Sequence, residues 1–204
     1  MSLHRPRRPH HNLSVTDRVD AHTLRPFIRV LTSQDLATIG AELPAAPYRT
    51  HQDDLDWQAT GAVTSLVAWL DSTPVGWGFI SWNGPRDATV ATLLPVCPEI
   101  FRLYVVEKHR SAGFGTALVL EFESLAHAKG LAQVGLGVGI ANQRARGLYE
   151  RLGYQTVAGS EYVDRWDYPD ARGRRRTAEE PCIFMVRALG SHMPAPPEYL
   201  GDTS

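Results

Sequence analysis

The chain has 204 residues, 43% hydrophobic and 21% charged, with a net charge of −1. Such a balance excludes a disordered chain and any bulk attraction to nucleic acid, and the length suits one domain with its own core. No apolar run approaches the roughly 18 residues of a membrane-spanning helix, and the basic N-terminus (Arg5, Arg7, Arg8) has no apolar stretch behind it to read as a secretory signal.

Residues 1–24 read as a flexible tail, 25–189 as the domain, and 190–204 as a proline-containing tail. Phe27 to Leu31 predicts a strand. Ser33 then caps a helix that Pro44 and Pro47 end. A second helix is expected from Asp53 to Thr60. Its acids Asp53, Asp54 and Asp56 are either N-terminal helix charge or a rim for a cationic substrate. Ser65 to Asp71 and Val75 to Trp82 form a hairpin, and Asn83 to Pro98 an irregular loop.

Glu99 to Val106 is a buried strand rich in β-branched and aromatic residues, and a helix runs from Gly113 to Lys129 with Phe114, Leu118, Phe122 and Leu125 on one face. Gln133 to Ile140 is a strand with Gly135, Gly137 and Gly139 on one side, expected to leave room for a ligand or a neighbouring backbone. Asn142 caps a helix from Gln143 to Leu152, and Tyr154 to Ala158 is a further strand. Glu161 to Glu180, with six acids and five arginines, reads as a surface loop before a last strand from Cys182 to Leu189. The expected class is α/β, a mixed sheet with helices on both faces. Cys97 and Cys182 lack metal-ligand spacing and are expected as buried free thiols.

Two constellations carry chemistry. The first is Arg110-Ser111-Ala112-Gly113-Phe114-Gly115, RxxGxG between a strand and a helix. Free amides at a helix N-terminus, approached closely through glycine, suit a phosphate. It is not a Walker loop, and the glycines at 135, 137 and 139 do not make a GxGxxG turn. The second is Asn142-xx-Ala145-xx-Leu148-Tyr149-Glu150-xx-Gly153-Tyr154. Ala145, Leu148 and Leu152 share a core face, with Tyr149 at its edge. Tyr149 is either a rim aromatic or a proton donor. A phenol with a pKa near 10 suits a leaving thiolate whose conjugate acid lies near 8.5.

RxxGxG followed by NxxAxxLYExxGY resembles the GNAT (Gcn5-related) N-acetyltransferase superfamily, closely over Glu99 to Tyr154. The resemblance implies the GNAT acyl-CoA N-acyltransferase fold and acetyl-CoA as cosubstrate. The amides from Ser111 to Thr116, including Ala112 and Phe114, would wrap the pyrophosphate with Arg110 beside them. Pantetheine would pair along Leu103, Tyr104, Val105 and Val106, where two strands splay, and Asn142 would contact that arm. The Leu103 N–H would face the thioester oxygen, and Tyr149 matches the general acid. Glu99, eleven residues before Arg110, has the position of a glutamate base in some histone-type members, although strand rise puts it roughly 13 Å from Leu103. Asp71, Asp164 and Asp167 are other candidates. The chain departs from the common pattern at Ser111 and Ala112, where neither side chain is basic.

The expected function is therefore acetyl transfer from acetyl-CoA to a primary amine, of a small molecule or a peptide, by direct attack in a ternary complex. A non-catalytic acyl-CoA-binding module and an unrelated phosphate-binding protein are the alternatives. A cytoplasmic protein is expected, with an amine as partner, no nucleic acid, membrane or metal, and room for a homodimer. Aromatic and acidic residues of the variable parts, Tyr48, Trp57, Trp77, Trp82, Tyr162, Trp166 and Tyr168 among them, suit a cationic amine but equally suit ordinary core and surface.

Overall fold

The computed structural model describes residues 26–190; both segments read as tails lie outside them, apart from Gly190. Eight strands form one sheet: β1 (Phe27–Val30), β2 (Val63–Leu70), β3 (Thr73–Ser81), β4 (Glu99–Val105), β5 (Gln133–Gly139), β6 (Gln155–Thr156), β7 (Tyr162–Pro169) and β8 (Arg175–Ala188). The order is β1-β2-β3-β4-β5-β8-β6, with β7 also paired to β8. Every pairing is antiparallel except that of β4 with β5. Helices α1 (Leu36–Glu42), α2 (His51–Ala59), α3 (Ala88–Leu93), α4 (Phe114–Ala128) and α5 (Gln143–Arg151) complete the domain.

Successive residues of a strand point to opposite faces, and β2 shows the result. Leu66 and Ala68 join Phe114, Leu118 and Phe122 of α4 in one core, whereas Val67 and Trp69 join Ile39 of α1 in the other. Both faces are covered, which is why the strand reads as a continuous apolar run. The second core is aromatic: Phe79 stacks on Phe101 at 5.3 Å, and Trp57 of α2 packs on both. Buried Glu123 of α4 pairs with Arg187 of β8 and ties that helix across the sheet. The mixed sheet with helices on both faces agrees with the sequence reading.

Several boundaries differ. Thr32, not Ser33, caps the first helical segment, because the Asp35 carboxylate reaches back to the Thr32 amide at 2.8 Å. Thr50 likewise caps α2 through Asp53, so the helix opens at His51. Within α2, Asp53 serves the cap, Asp54 binds Arg49 at 3.1 Å and Asp56 accepts from Gln52. This favours the helix-charge reading of that acidic group over a substrate rim. The stretch Asn83 to Pro98 contains α3, capped by Asp87, which accepts from the amides of Thr89 and Val90. The strand expected over Tyr154 to Ala158 shrinks to Gln155–Thr156. Glu161 to Glu180 is not a loop: it forms β7 and the first part of β8, joined around a turn at Asp170. Its mixed charges become cross-strand pairs such as Arg165–Glu179 at 2.7 Å. Cys97 and Cys182 are buried free thiols, as expected.

The β5 glycines make room for side chains, not for a neighbouring backbone, and two of them, Gly137 and Gly139, also line a cavity. A Cβ on Gly135 would lie 2.2 Å from Phe184 Cε1, one on Gly137 1.9 Å from the Tyr162 hydroxyl, and one on Gly139 1.9 Å from Glu180 Oε1. Large residues of β7 and β8 thus lie flat over β5.

The feature that shapes the site is a break in β4. Trp77 of β3 pairs with Tyr104 but Phe79 pairs with Phe101, so β4 carries one extra residue there, a β-bulge. Arg102 sits in it at φ 51°, a left-handed conformation that costs a non-glycine residue about 1–2 kcal/mol. On the other edge, β4 pairs with β5 only at Glu99↔Gly135 and Ile100↔Leu136. Beyond Ile100 the two strands part.

Gly135→Ala is expected to destabilise the domain by about 1–3 kcal/mol, because Phe184 is fully buried and has nowhere to retreat. Denaturant unfolding measures it; an unchanged midpoint would show that the β5–β8 face yields freely.

Candidate active site

Two cavities flank the parting of β4 and β5. The first, ≈ 540 Å³, runs from Leu103, Tyr104 and Val105 to the turn before α4 and on to Arg144, Leu148 and Arg151 of α5. The second, ≈ 700 Å³, lies between the α1–α2 loop (Pro44 to Arg49), β4 and the β7–β8 hairpin. They meet at Leu103, Tyr104, Asn142, Ala145 and Tyr149, which line both.

Backbone direction along β4 follows from its contacts. The Val106 N–H donates to Val75 of β3 at 2.9 Å, and the Tyr104 carbonyl lies over Gly76, also of β3. Amide and carbonyl of one strand residue point to the same edge, alternating along the chain. The polar groups of Leu103 and Val105 therefore face the first cavity, and those of Tyr104 and Val106 face β3. Of the expected rail, Leu103 and Val105 offer their backbone, Tyr104 lines the wall, and Val106 lines neither cavity.

The turn before α4 is shaped for an anion. Gly113 caps the helix at φ 92°, a conformation glycine takes without penalty. The Ala117 N–H bonds the Gly113 carbonyl at 2.9 Å, and the amides ahead of it have no intrahelical acceptor. Ser111, Gly113, Gly115 and Thr116 line the cavity; Ala112 is exposed without lining it, and the Phe114 side chain is buried in the core. Arg110 lines the same cavity. Its Nε donates to the Val105 carbonyl at 3.0 Å. Cationic charge comes also from a place that sequence reading missed: Arg144 donates to the Ser111 hydroxyl at 3.0 Å, and Arg151 lines the same cavity. The seven-residue spacing of these arginines puts both on one helix face, the one signal that could have found them.

Tyr149 is 8% exposed, and its ring packs against Tyr154 at 5.9 Å. Burial pushes its hydroxyl up to about 12. It lies deeper than the edge position expected for it, because Leu148 and Ala145 are only half-buried. Asn142 caps α5 by accepting from the Ala145 N–H at 3.1 Å.

Glu99 lines the second cavity and is 2% exposed. Burial raises its carboxyl above the usual range, partly offset by Arg86, whose backbone N–H donates to it at 2.6 Å and whose Nε lies 3.3 Å away. Asp164 and Asp167 line the same cavity, whereas Asp71 sits in the β2–β3 turn and lines neither. Tyr48, Trp77, Tyr162 and Trp166 contribute aromatic wall; Trp57 and Trp82 do not. Arg175 of β8 lies over the Tyr48 ring at 5.1 Å and joins hairpin to loop across the mouth. Among the described residues no cluster of potential metal ligands occurs, and no helix is long and apolar enough to cross a membrane.

A model of the acetyltransferase (GNAT) family matches residues 31–154. The chain belongs to that family. No curated protein matches it in sequence. Solved structures share its fold at low identity. An N-acetyltransferase from Staphylococcus aureus Mu50 has 16% identity and a TM-score of 0.58, covering 81% of this chain and 99% of its own. A putative acetyltransferase from Salmonella typhimurium, solved with its cofactor acetyl-CoA, has 19% identity and a TM-score of 0.57, covering 85% and 99%. The ribosomal-protein-S18-alanine N-acetyltransferase from Escherichia coli has 19% and 0.54, covering 86% and 99%. By family the chain is an acetyltransferase with acetyl-CoA as cosubstrate. The first cavity fits that cosubstrate: an open strand edge for an amide-bearing arm, then free amides and arginines for phosphates.

Gly113→Val is expected to weaken acetyl-CoA binding at least tenfold by calorimetry, since a β-branched residue resists φ 92°. The Gly113 Cβ position is open, so the fold should survive. Undiminished affinity would remove the turn from the binding site.

Proposed function

We propose that the protein is an N-acetyltransferase that moves the acetyl group of acetyl-CoA to a primary amine by direct attack in a ternary complex. The observation that carries this reading is the meeting of two cavities at Tyr149 and Leu103. One cavity suits the cosubstrate and the other an acceptor, and the same five residues line both.

Bound acetyl-CoA supplies an acetyl thioester. The Leu103 N–H, facing the junction, takes the hydrogen bond of the carbonyl oxygen as it gains charge. Such a preorganised donor is worth about 2.7–4 kcal/mol in favourable cases. The C–N bond forms as the C–S bond breaks. Tyr149 gives its proton to the departing sulfur; with its hydroxyl held near 12 by burial, it is fully protonated at neutral pH. The amine must lose a proton to attack and another as the amide forms. Glu99 takes protons from it through water. Its raised carboxyl makes it a stronger base than an exposed glutamate. The pyrophosphate rests on the amides of Ser111 to Thr116, with Arg144 and Arg151 replacing the basic residues absent from the turn. Asn142 holds the start of α5 beside the pantetheine arm. Two free thiols suit the reducing cytoplasm.

Tyr149→Phe is expected to lower kcat by roughly 10²–10⁴-fold with acetyl-CoA affinity retained, the range of a lost general acid. Thiol release and calorimetry read both, and unchanged turnover across pH would exclude Tyr149 as the acid. A base must be ionised, so activity should rise as pH passes upward through the raised Glu99 value. Glu99→Gln should lower the plateau roughly a hundredfold and abolish that limb. An intact limb in the variant would assign the pH dependence to the amine alone.

A further inference from the structure

Where β4 and β5 part, the first β5 residue past their ladder has no side chain of its own. The last pair is Ile100↔Leu136, and Gly137 follows. The Tyr162 hydroxyl fills that place, 1.9 Å from where a Cβ of residue 137 would stand. Tyr162 opens β7 opposite Cys182 of β8, and its ring packs on the buried side chains of Val90, Cys97 and Phe184. Core packing therefore fixes the ring, and a glycine admits its hydroxyl to the fork of the sheet.

That hydroxyl is open to the acceptor cavity. Tyr162 lines the cavity and is half-buried. The Trp77 indole nitrogen and the Tyr154 hydroxyl are sealed and without partners, whereas the Tyr162 hydroxyl is not among such atoms. It makes no hydrogen bond to nitrogen or oxygen among the described residues, and the Cys182 thiol lies beside it.

Glu99 stands on the same face. It pairs with Gly135, two residues before Gly137, and side chains two apart on a strand point the same way. Strand rise and spacing put the Cα atoms of Glu99 and Gly137 roughly 8 Å apart. Arg86, which binds Glu99, also lies over the Phe101 ring at 4.4 Å on that face. Burial keeps the proton on the Tyr162 hydroxyl, and the charge of Glu99 adds to the effect. A neutral phenol offers a lone pair and a proton together. It can accept from an amine while donating toward a carboxylate.

Building on the acetyl transfer proposed above, we infer that Tyr162 is a further catalytic residue: its hydroxyl receives the acceptor nitrogen and is the fixed link between that amine and Glu99. As an ammonium proton passes to the hydroxyl oxygen, the hydroxyl's own proton leaves through water to Glu99, whose carboxylate becomes a carboxyl. The phenol ends neutral, as it began, and the amine keeps the lone pair that attacks the thioester. The two tyrosines divide the proton traffic, Tyr149 serving the departing sulfur and Tyr162 the arriving nitrogen.

The test is thiol release from acetyl-CoA with spermidine, lysine, kanamycin and tetraglycine as probe amines, on Tyr162→Phe, Glu99→Gln and the double variant. Tyr162→Phe keeps the ring that packs on Phe184 and removes only the hydroxyl. Its kcat/KM for the best probe amine should fall about tenfold or more, with acetyl-CoA affinity by calorimetry unchanged. In the Glu99→Gln background the same substitution should cost about twofold or less, because a link to an absent base carries nothing. A hydroxyl with a structural role alone gives losses that multiply. Unchanged turnover in Tyr162→Phe, multiplying losses, or weakened acetyl-CoA binding would overturn the inference and leave acetyl transfer standing. Absence of thiol release from all four amines by the native protein, despite acetyl-CoA binding, would sink the transferase reading itself, and this inference with it.

Discussion

Everything functional in this structure depends on two strands that start as partners and then separate. A parallel ladder continued past Ile100 would bury the Leu103 and Val105 backbone against β5, leaving neither cavity nor junction. Two devices hold the strands apart. The bulge at Arg102 redirects β4 on its β3 side. On the far side, β5 is committed to β8 along its whole length, from Gln133↔Ala188 to Gly139↔Cys182. The sheet thus stores local strain at one arginine and recovers it in core packing on both faces.

The junction also explains why Tyr149 must be buried. Its ring is fixed between the α5 helix and Tyr154, and burial strengthens its hold on the proton. In the proposed reaction the donor needs its proton until the sulfur takes it, so the same packing that orients the ring would also keep it ready. Glu99 responds to burial in the same direction, towards the protonated form, with Arg86 partly offsetting it. The proposed acid and base therefore differ in acidity as a phenol differs from a carboxyl.

The sequence made much of this legible, and for identifiable reasons. Strand, RxxGxG turn and helix are short-range patterns, and Gly113 and Asn142 stand where the cap geometry requires them. The aromatic and β-branched run of β4 marked a buried strand, but not the bulge. Nothing in the residue types of Phe101, Arg102 and Leu103 indicates an extra residue, because the bulge is defined by a partner strand. The hairpin of β7 and β8 was invisible for a related reason. Its polarity resembles that of a loop, since its outer half stands clear of the core and is held by cross-strand ion pairs. Glycines 135, 137 and 139 did signal a close approach, but what approaches comes from far along the chain: Phe184 over Gly135, Tyr162 over Gly137 and Glu180 over Gly139. Arg144 was overlooked because its meeting with Ser111 spans two elements.

The bond between Arg110 and the Val105 carbonyl has one more consequence. A strand with an unpaired edge is a template on which another chain can add itself, and this enzyme must keep such an edge open to work. Arg110 covers the edge carbonyl with a bulky, charged side chain that another strand cannot easily displace. In the proposed complex, a cosubstrate arm that brings its own hydrogen-bond donor would displace it by exchanging one bond for another. The first arginine of the motif therefore shields, at Val105, an edge that the proposed cosubstrate site must keep open.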